Sequence, residues 1–123
     1  MKRKTQKNIL WFEEITKDDV ALVGGKNASL GEMFSKLSKK RINVPEGFAL
    51  TSNFYWKHVK ENNLQPQLKK IFSQFNPQSL ESLQETGQRC RLLFSKSQLS
   101  PELKDEIAKD YRLLSKKSGR KDI

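Results

Sequence analysis

The sequence predicts an α+β domain, rich in helix, with about five helices and two or three short strands. Apolar residues recur at helical spacing in five separate segments between Leu30 and Leu114. Only two short runs, Ile9 to Phe12 and Phe48 to Thr51, are instead dense in strand formers. Size sets a further bound: 123 residues, 35% hydrophobic and 31% charged, suffice for one modest domain with a thin core.

Taken in order, residues 1–8 are polar and basic and are expected to form a disordered tail. The first strand, Ile9 to Phe12, is closed by Glu13 and Glu14. Thr16 and Asp19 stand three apart, as at a helix start, and predict a brief turn through Leu22 that Gly24 and Gly25 interrupt. The main helix then runs from about Lys26 to Leu37, with Leu30, Met33, Phe34 and Leu37 as its core stripe. Lys39, Lys40 and Arg41 read as a solvated helix end whose charge suits the C-terminal dipole. Val44-Pro45-Glu46-Gly47 is a turn that feeds the second strand.

Ser52 is placed to cap the next helix, where Tyr55, Trp56 and Val59 share a face; core packing fits that spacing better than stacking on nucleobases. His58, the single histidine, has no carboxylate or cysteine constellation around it and is expected at the surface. Leu64, Leu68, Ile71, Phe72 and Phe75 form another stripe, with Pro66 in its first turn and Asn76-Pro77 as its stop. Leu80, Leu83, Gly87, Cys90 and Phe94 form the following one, Gly87 leaving room for a neighbouring element. The lone Cys90 cannot form an internal disulfide and is expected as a buried thiol, which suits a reducing cytoplasm. Ser100-Pro101-Glu102 opens the last helix, with Leu103, Ile107, Tyr111 and Leu114 facing the core. The predicted domain therefore spans residues 9–114, and 115–123 read as a linker.

The candidate site is the stretch Gly24-Gly25-Lys26. Two glycines deliver the chain into a helix start, where a lysine crowds the positive end of the dipole unless an anion shares the place. Known phosphate loops do not fit. A P-loop would need glycine at Val20 and a hydroxyl at Asn27, and a dinucleotide fingerprint would need its third glycine outside the helix that holds Gly31. No catalytic residue and no metal ligand is predicted in this chain.

Leu10-Trp11-Phe12, then Val23-Gly24-Gly25-Lys26-Asn27-Ala28-Ser29-Leu30-Gly31-Glu32-Met33, then Val44-Pro45-Glu46-Gly47-Phe48-Ala49 with Thr51, agree in order and spacing with one known pattern. The sequence resembles the phosphoenolpyruvate synthase (pyruvate, water dikinase) family over nearly its whole length. That resemblance implies the N-terminal part of an ATP-grasp nucleotide-binding domain, with ATP as the ligand. It implies that Lys26 helps hold the ATP phosphates and that Gly24 and Gly25 form the turn that positions it. It also implies pyruvate as substrate and Mg2+ held by ligands outside this chain. In the family a strand reading Val-Arg-Ser-Ser-Ala, whose arginine meets the phosphates, would follow a few residues after Ile123. The resemblance therefore implies a fragment that is inactive on its own, whose exposed apolar surface favours self-association.

A net charge of +10 favours anionic partners and supports a second reading, a stand-alone basic module binding nucleic acid or an acidic protein. Against it, the basic residues are scattered over nearly every helix and no reader motif is identifiable, so nucleic acid is not the expected partner. Thr5-Gln6-Lys7-Asn8 stands where a secretion signal would need an apolar run, so neither export nor a membrane span is expected.

Overall fold

The structure, a computed structural model, describes residues 3–119. Met1 and Lys2 of the expected tail, and residues 120–123 of the expected linker, lie outside them. In chain order the regular elements are β1 (Ile9–Trp11), α1 (Val20–Lys39), β2 (Phe48–Leu50), α2 (Ser52–Glu61), α3 (Leu64–Ser73), α4 (Leu80–Lys96) and α5 (Pro101–Ser118). Short 3-10 turns at Lys4–Gln6, Phe12–Glu14 and Lys17–Asp19 join the first of them. The architecture is the helix-rich α+β fold that the periodicity predicts. Two compact units divide the chain, Met1–Trp56 with Pro101–Ile123, and Lys57–Ser100.

In the first unit β1 and β2 pair antiparallel, with Ile9 opposite Leu50, Leu10 opposite Ala49 and Trp11 opposite Phe48. The Trp11 and Phe48 rings lie 5.2 Å apart, a cross-strand aromatic pair that favours this register. The ladder continues beyond the strands, since the Thr51 N–H donates to the Asn8 carbonyl at 3.0 Å and the Phe12 N–H to the Gly47 carbonyl at 2.9 Å. This extension orders the expected tail from Arg3 to Asn8. Thr51 Oγ1 donates to the Lys7 carbonyl at 2.6 Å, and Asn53 Nδ2 donates to the Thr5 carbonyl. Asn8 is buried, and its Nδ2 donates to Glu106 on α5 at 2.8 Å.

The core of this unit gathers Leu10, Ile15, Val23, Ala28 and Ala49, with Phe12 and Leu22 packed against it. The expected α1 stripe is displaced. Met33 is 46% exposed, and Leu30, Phe34 and Leu37 are only half-buried, while Ala28 and Gly31 are buried. The reason is steric: a Cβ at Gly31 would stand 2.5 Å from Ile15 Cβ and 2.7 Å from the Ile15 carbonyl oxygen. Only a face of very small residues lets the preceding turn approach so closely. At its far end α1 closes in a Schellman motif, with Arg41 N–H to the Ser38 carbonyl at 3.1 Å and Ile42 N–H to the Leu37 carbonyl at 3.0 Å. Arg41 sits there at φ 60°, in the position that usually holds glycine.

The cap of α2 is Thr51, one residue earlier than expected, because its buried hydroxyl accepts from the Phe54 N–H at 3.4 Å. On that helix Phe54 and Val59 are buried, whereas Tyr55 and Trp56 are 42% and 56% exposed and pack edge-to-face on each other at 5.0 Å. The expected aromatic core face is thus limited to Val59. On α5, Leu103 is fully buried, Ile107 and Leu114 are half-buried and Tyr111 is exposed. The helix runs through Ser118, so residues 115–118 continue it where a linker was expected.

In the second unit Val59, Leu64, Ile71 and Thr86 are buried. Ser79 caps α4 by accepting from the Ser82 N–H at 3.1 Å. Gly87 does not admit a neighbouring element, since a Cβ there would meet only the Arg91 side chain of its own helix. Cys90 is half-buried, short of the burial expected. His58 is half-buried rather than a surface residue, with its ring over Phe94. Ser97 Oγ donates to the Phe94 carbonyl, so the ring N–H lies on Nε2, 2.8 Å from Ser97 Oγ, and Nδ1 accepts from Asn62 Nδ2 at 3.3 Å.

Candidate functional site

The site grows out of the segment that precedes α1. Thr16 and Asp19 form a capping box: Thr16 Oγ1 accepts from the Asp18 N–H at 3.2 Å, and Asp19 Oδ2 accepts from the Thr16 N–H at 2.8 Å. Lys4 Nζ adds an ion pair with Asp19 at 2.6 Å. Burial alone would raise the Asp19 pKa, but the Lys4 ammonium and the Thr16 N–H outweigh it and hold the carboxyl below its ordinary range. Glu32, one turn beyond Ala28, accepts from the Lys17 N–H at 3.0 Å and pairs with Lys36 at 3.3 Å. Those contacts, the backbone N–H first, hold its carboxyl low as well. Both ends of the turn into α1 are therefore tied down.

Between them the helix breaks at Gly24, whose backbone stands at φ 84° and ψ 163°. That conformation is essentially confined to glycine. Gly25 resumes the helical path, which puts Lys26 in the first turn as the sequence predicts. All three residues are exposed, and a Cβ built at Gly24 or Gly25 would meet nothing within 4 Å. Lys26 has no ion pair or hydrogen bond among the described residues. Among the described residues nothing demands glycine at position 25 on steric grounds. What the turn offers is an exposed glycine pair at the start of the longer helical segment, beside a lysine that has no ion pair or hydrogen bond among the described residues.

Sequence reasoning missed Asn27. Its Nδ2 donates to the Val23 carbonyl at 2.9 Å, across the break. The signal is legible in retrospect as an amide four residues after the last residue before a glycine pair.

Elsewhere in the same unit a cavity of about 290 Å3 is lined by Lys7, Asn8, Trp11, Glu14, Glu106 and Asp110. It contains none of the predicted site residues. Among the described residues, no three His, Cys, Asp or Glu side chains gather closely enough to hold a metal ion.

Comparison with known proteins decides the family. Residues 20–123 match the pyruvate phosphate dikinase AMP/ATP-binding domain. The chain belongs to that family. The pyruvate phosphate dikinase match begins at the first residue of α1 and takes in the whole candidate site. Among its relatives is a phosphoenolpyruvate synthase of Synechocystis, 40% identical over 92% of this chain and 14% of that protein. Another, from Aquifex aeolicus, is 37% identical over 93% of this chain and 13% of that protein. A third, from Escherichia coli, is 31% identical over 87% and 14%. The chain therefore spans about a seventh of the length of these curated relatives. None of its described helices is long and apolar enough to cross a membrane.

Proposed function

We propose that this chain forms the N-terminal part of the nucleotide-binding domain of a phosphoenolpyruvate synthase-like dikinase. In that reading the complete enzyme converts ATP, pyruvate and water into AMP, phosphoenolpyruvate and phosphate. The observation that carries it is the Gly24-Gly25-Lys26 turn, bare of side chains and of internal partners, in a chain of an AMP/ATP-binding family. Lys26 acts as a point charge on phosphate oxygens, and the backbone N–H groups beside it add directional donors. Phosphoryl transfer depends on positioning and charge neutralisation, so this segment needs no nucleophile of its own. The fold class we assign is ATP-grasp, the location cytoplasmic, and Mg2+ and pyruvate are bound by residues beyond this chain. The exposed apolar side chains support self-association when the chain is isolated. The alternative reading as a basic nucleic-acid module draws no specific support from the geometry.

The test is a chimera in which this chain replaces the matching segment of the Synechocystis enzyme. Pyruvate-dependent AMP formation is expected with the native sequence. Lys26→Ala is expected to lower kcat/KM for ATP about tenfold to a hundredfold, the worth of a hydrogen bond to a charged group. Because Lys26 is exposed and unpartnered, the melting temperature should not move. Unchanged activity would return Lys26 to the class of ordinary surface lysines, and a large loss of stability would make its role structural.

A further inference from the structure

We infer that Asn27 is a positioning residue for the phosphate turn, a role that rests on the nucleotide reading above. Four observations converge on it. Gly24 departs from the helix in a conformation that breaks the regular backbone path between Val23 and Gly25. The Asn27 amide crosses that break to the Val23 carbonyl at 2.9 Å. The ring closed by this bond contains Gly24, Gly25 and Lys26, the three residues assigned to the phosphates. No atom from outside the adjoining helix backbone lies within 4 Å of where a Cβ would stand at either glycine, so no neighbouring element packs on the turn at those two positions.

Two consecutive glycines give this segment more backbone freedom than any other pair of residues would. A bond that closes a short ring around them removes much of that freedom before a ligand arrives. Preorganised donors bind more tightly because the ordering cost is met in the free protein. When only a fraction of molecules holds the competent turn, the apparent affinity falls by that fraction. Asn27 itself is half-buried at the edge of the helix and does not need to touch the nucleotide. It acts through the shape of the backbone that does.

The experiment uses this chain in three forms: native, Asn27→Ala and Asn27→Asp. Alanine is the better helix former, and a carboxylate suits the first turn of a helix, so neither change should weaken α1 itself. Both lack the amide donor. Hydrogen exchange at the Gly25 and Lys26 amides is expected to quicken about fivefold in each variant, the worth of one neutral hydrogen bond. Exchange at Leu10 and Ala49 in the sheet should be unaffected. A titration with ATP followed at the same amides is expected to give an affinity about fivefold weaker in Asn27→Ala than in the native chain. Equal exchange in all three forms would overturn the inference while leaving the nucleotide reading in place. So would equal ATP affinity in the native chain and Asn27→Ala. Loss of protection throughout the sheet would make Asn27 a structural residue and overturn it too. A native chain whose amides do not respond to ATP would overturn the nucleotide reading and, with it, this role.

Discussion

Gly24 and Gly31 stand seven residues apart on one element and are glycine for unrelated reasons. Gly24 is required by its own backbone angles, with open space around it, whereas Gly31 is required by its neighbour, the Ile15 backbone and side chain. Gly31→Ala should therefore destabilise the fold by about 1–3 kcal/mol, because the added methyl must displace a main-chain carbonyl as well as a side chain. A denaturation midpoint within error of the native chain would refute the close approach. The glycine pair was legible in the sequence as a helix break beside a lysine, since backbone freedom is written in residue type. The buried face of α1 was not legible. An apolar-period count weighs Leu30, Met33, Phe34 and Leu37, yet close approach selects Ala28 and Gly31, which that count ignores. Asn27 escaped for a related reason: its partner is a carbonyl, which the sequence does not distinguish from any other.

At the scale of elements, both ends of helices and the contacts between them lend themselves to test. Arg41 closes the Schellman motif of α1 at φ 60°, a conformation that costs an ordinary side chain about 1 kcal/mol relative to glycine. Arg41→Gly should raise stability by about 0.5–1 kcal/mol despite the added freedom of the unfolded chain. A drop would mean that the arginine side chain makes a contribution its exposure does not suggest. The contact between α5 and β1 is polar and pH-sensitive. Glu106, Asp110 and Lys117 fall on one face of α5, where they meet Asn8, the Trp11 indole N–H and the Trp11 ring respectively, with Lys117 Nζ 4.3 Å from the ring centroid. Burial raises the Asp110 pKa above its ordinary 3.8, and the nearby charges of Glu106 and Glu14 add to it, against the Trp11 hydrogen bond and Lys109. A carboxyl raised in the folded state binds its proton before the unfolded chain does. Its contribution is thus favourable below the unfolded value and lost as pH rises through the folded one. Asp110→Asn keeps an acceptor for Trp11 and removes the charge, so it should raise the melting temperature at pH 7, with the gain shrinking as pH falls through the raised folded value towards 3.8. Asp19 carries the opposite sign. Its depressed pKa stabilises at neutral pH, and Asp19→Asn should lower the melting temperature there, with the difference shrinking as pH falls below 3.8 and through the depressed folded value.

For the molecule as a whole, charge and apolar exposure oppose each other. Trp56, Phe72, Leu80 and Leu83 are each more than half exposed, an arrangement that favours association. The net charge of +10 resists it. Self-association of the isolated chain should accordingly grow between 0.05 and 0.5 M salt, where the screening length falls from roughly 14 to 4 Å, and sedimentation velocity would follow it. A monodisperse monomer throughout would mean that these exposed side chains do not drive association. The helix count and the order of elements were readable because each amphipathic segment declares its own period. The partition into two units was not, since it depends on which distant segments return to one another. That partition bears on how the chain is made. Lys57–Ser100 is continuous and can be complete as soon as it leaves the ribosome, whereas the first unit must wait for α5, which follows that segment in sequence. Asn8 and Glu106 are separated by 98 positions, so the hydrogen bond between them closes a loop over most of the chain. A nascent chain halted before Pro101 would hold a finished helical segment after only the first part of a sheet-and-helix unit. Vectorial synthesis therefore imposes an order of assembly in which the middle of the sequence matures before its beginning.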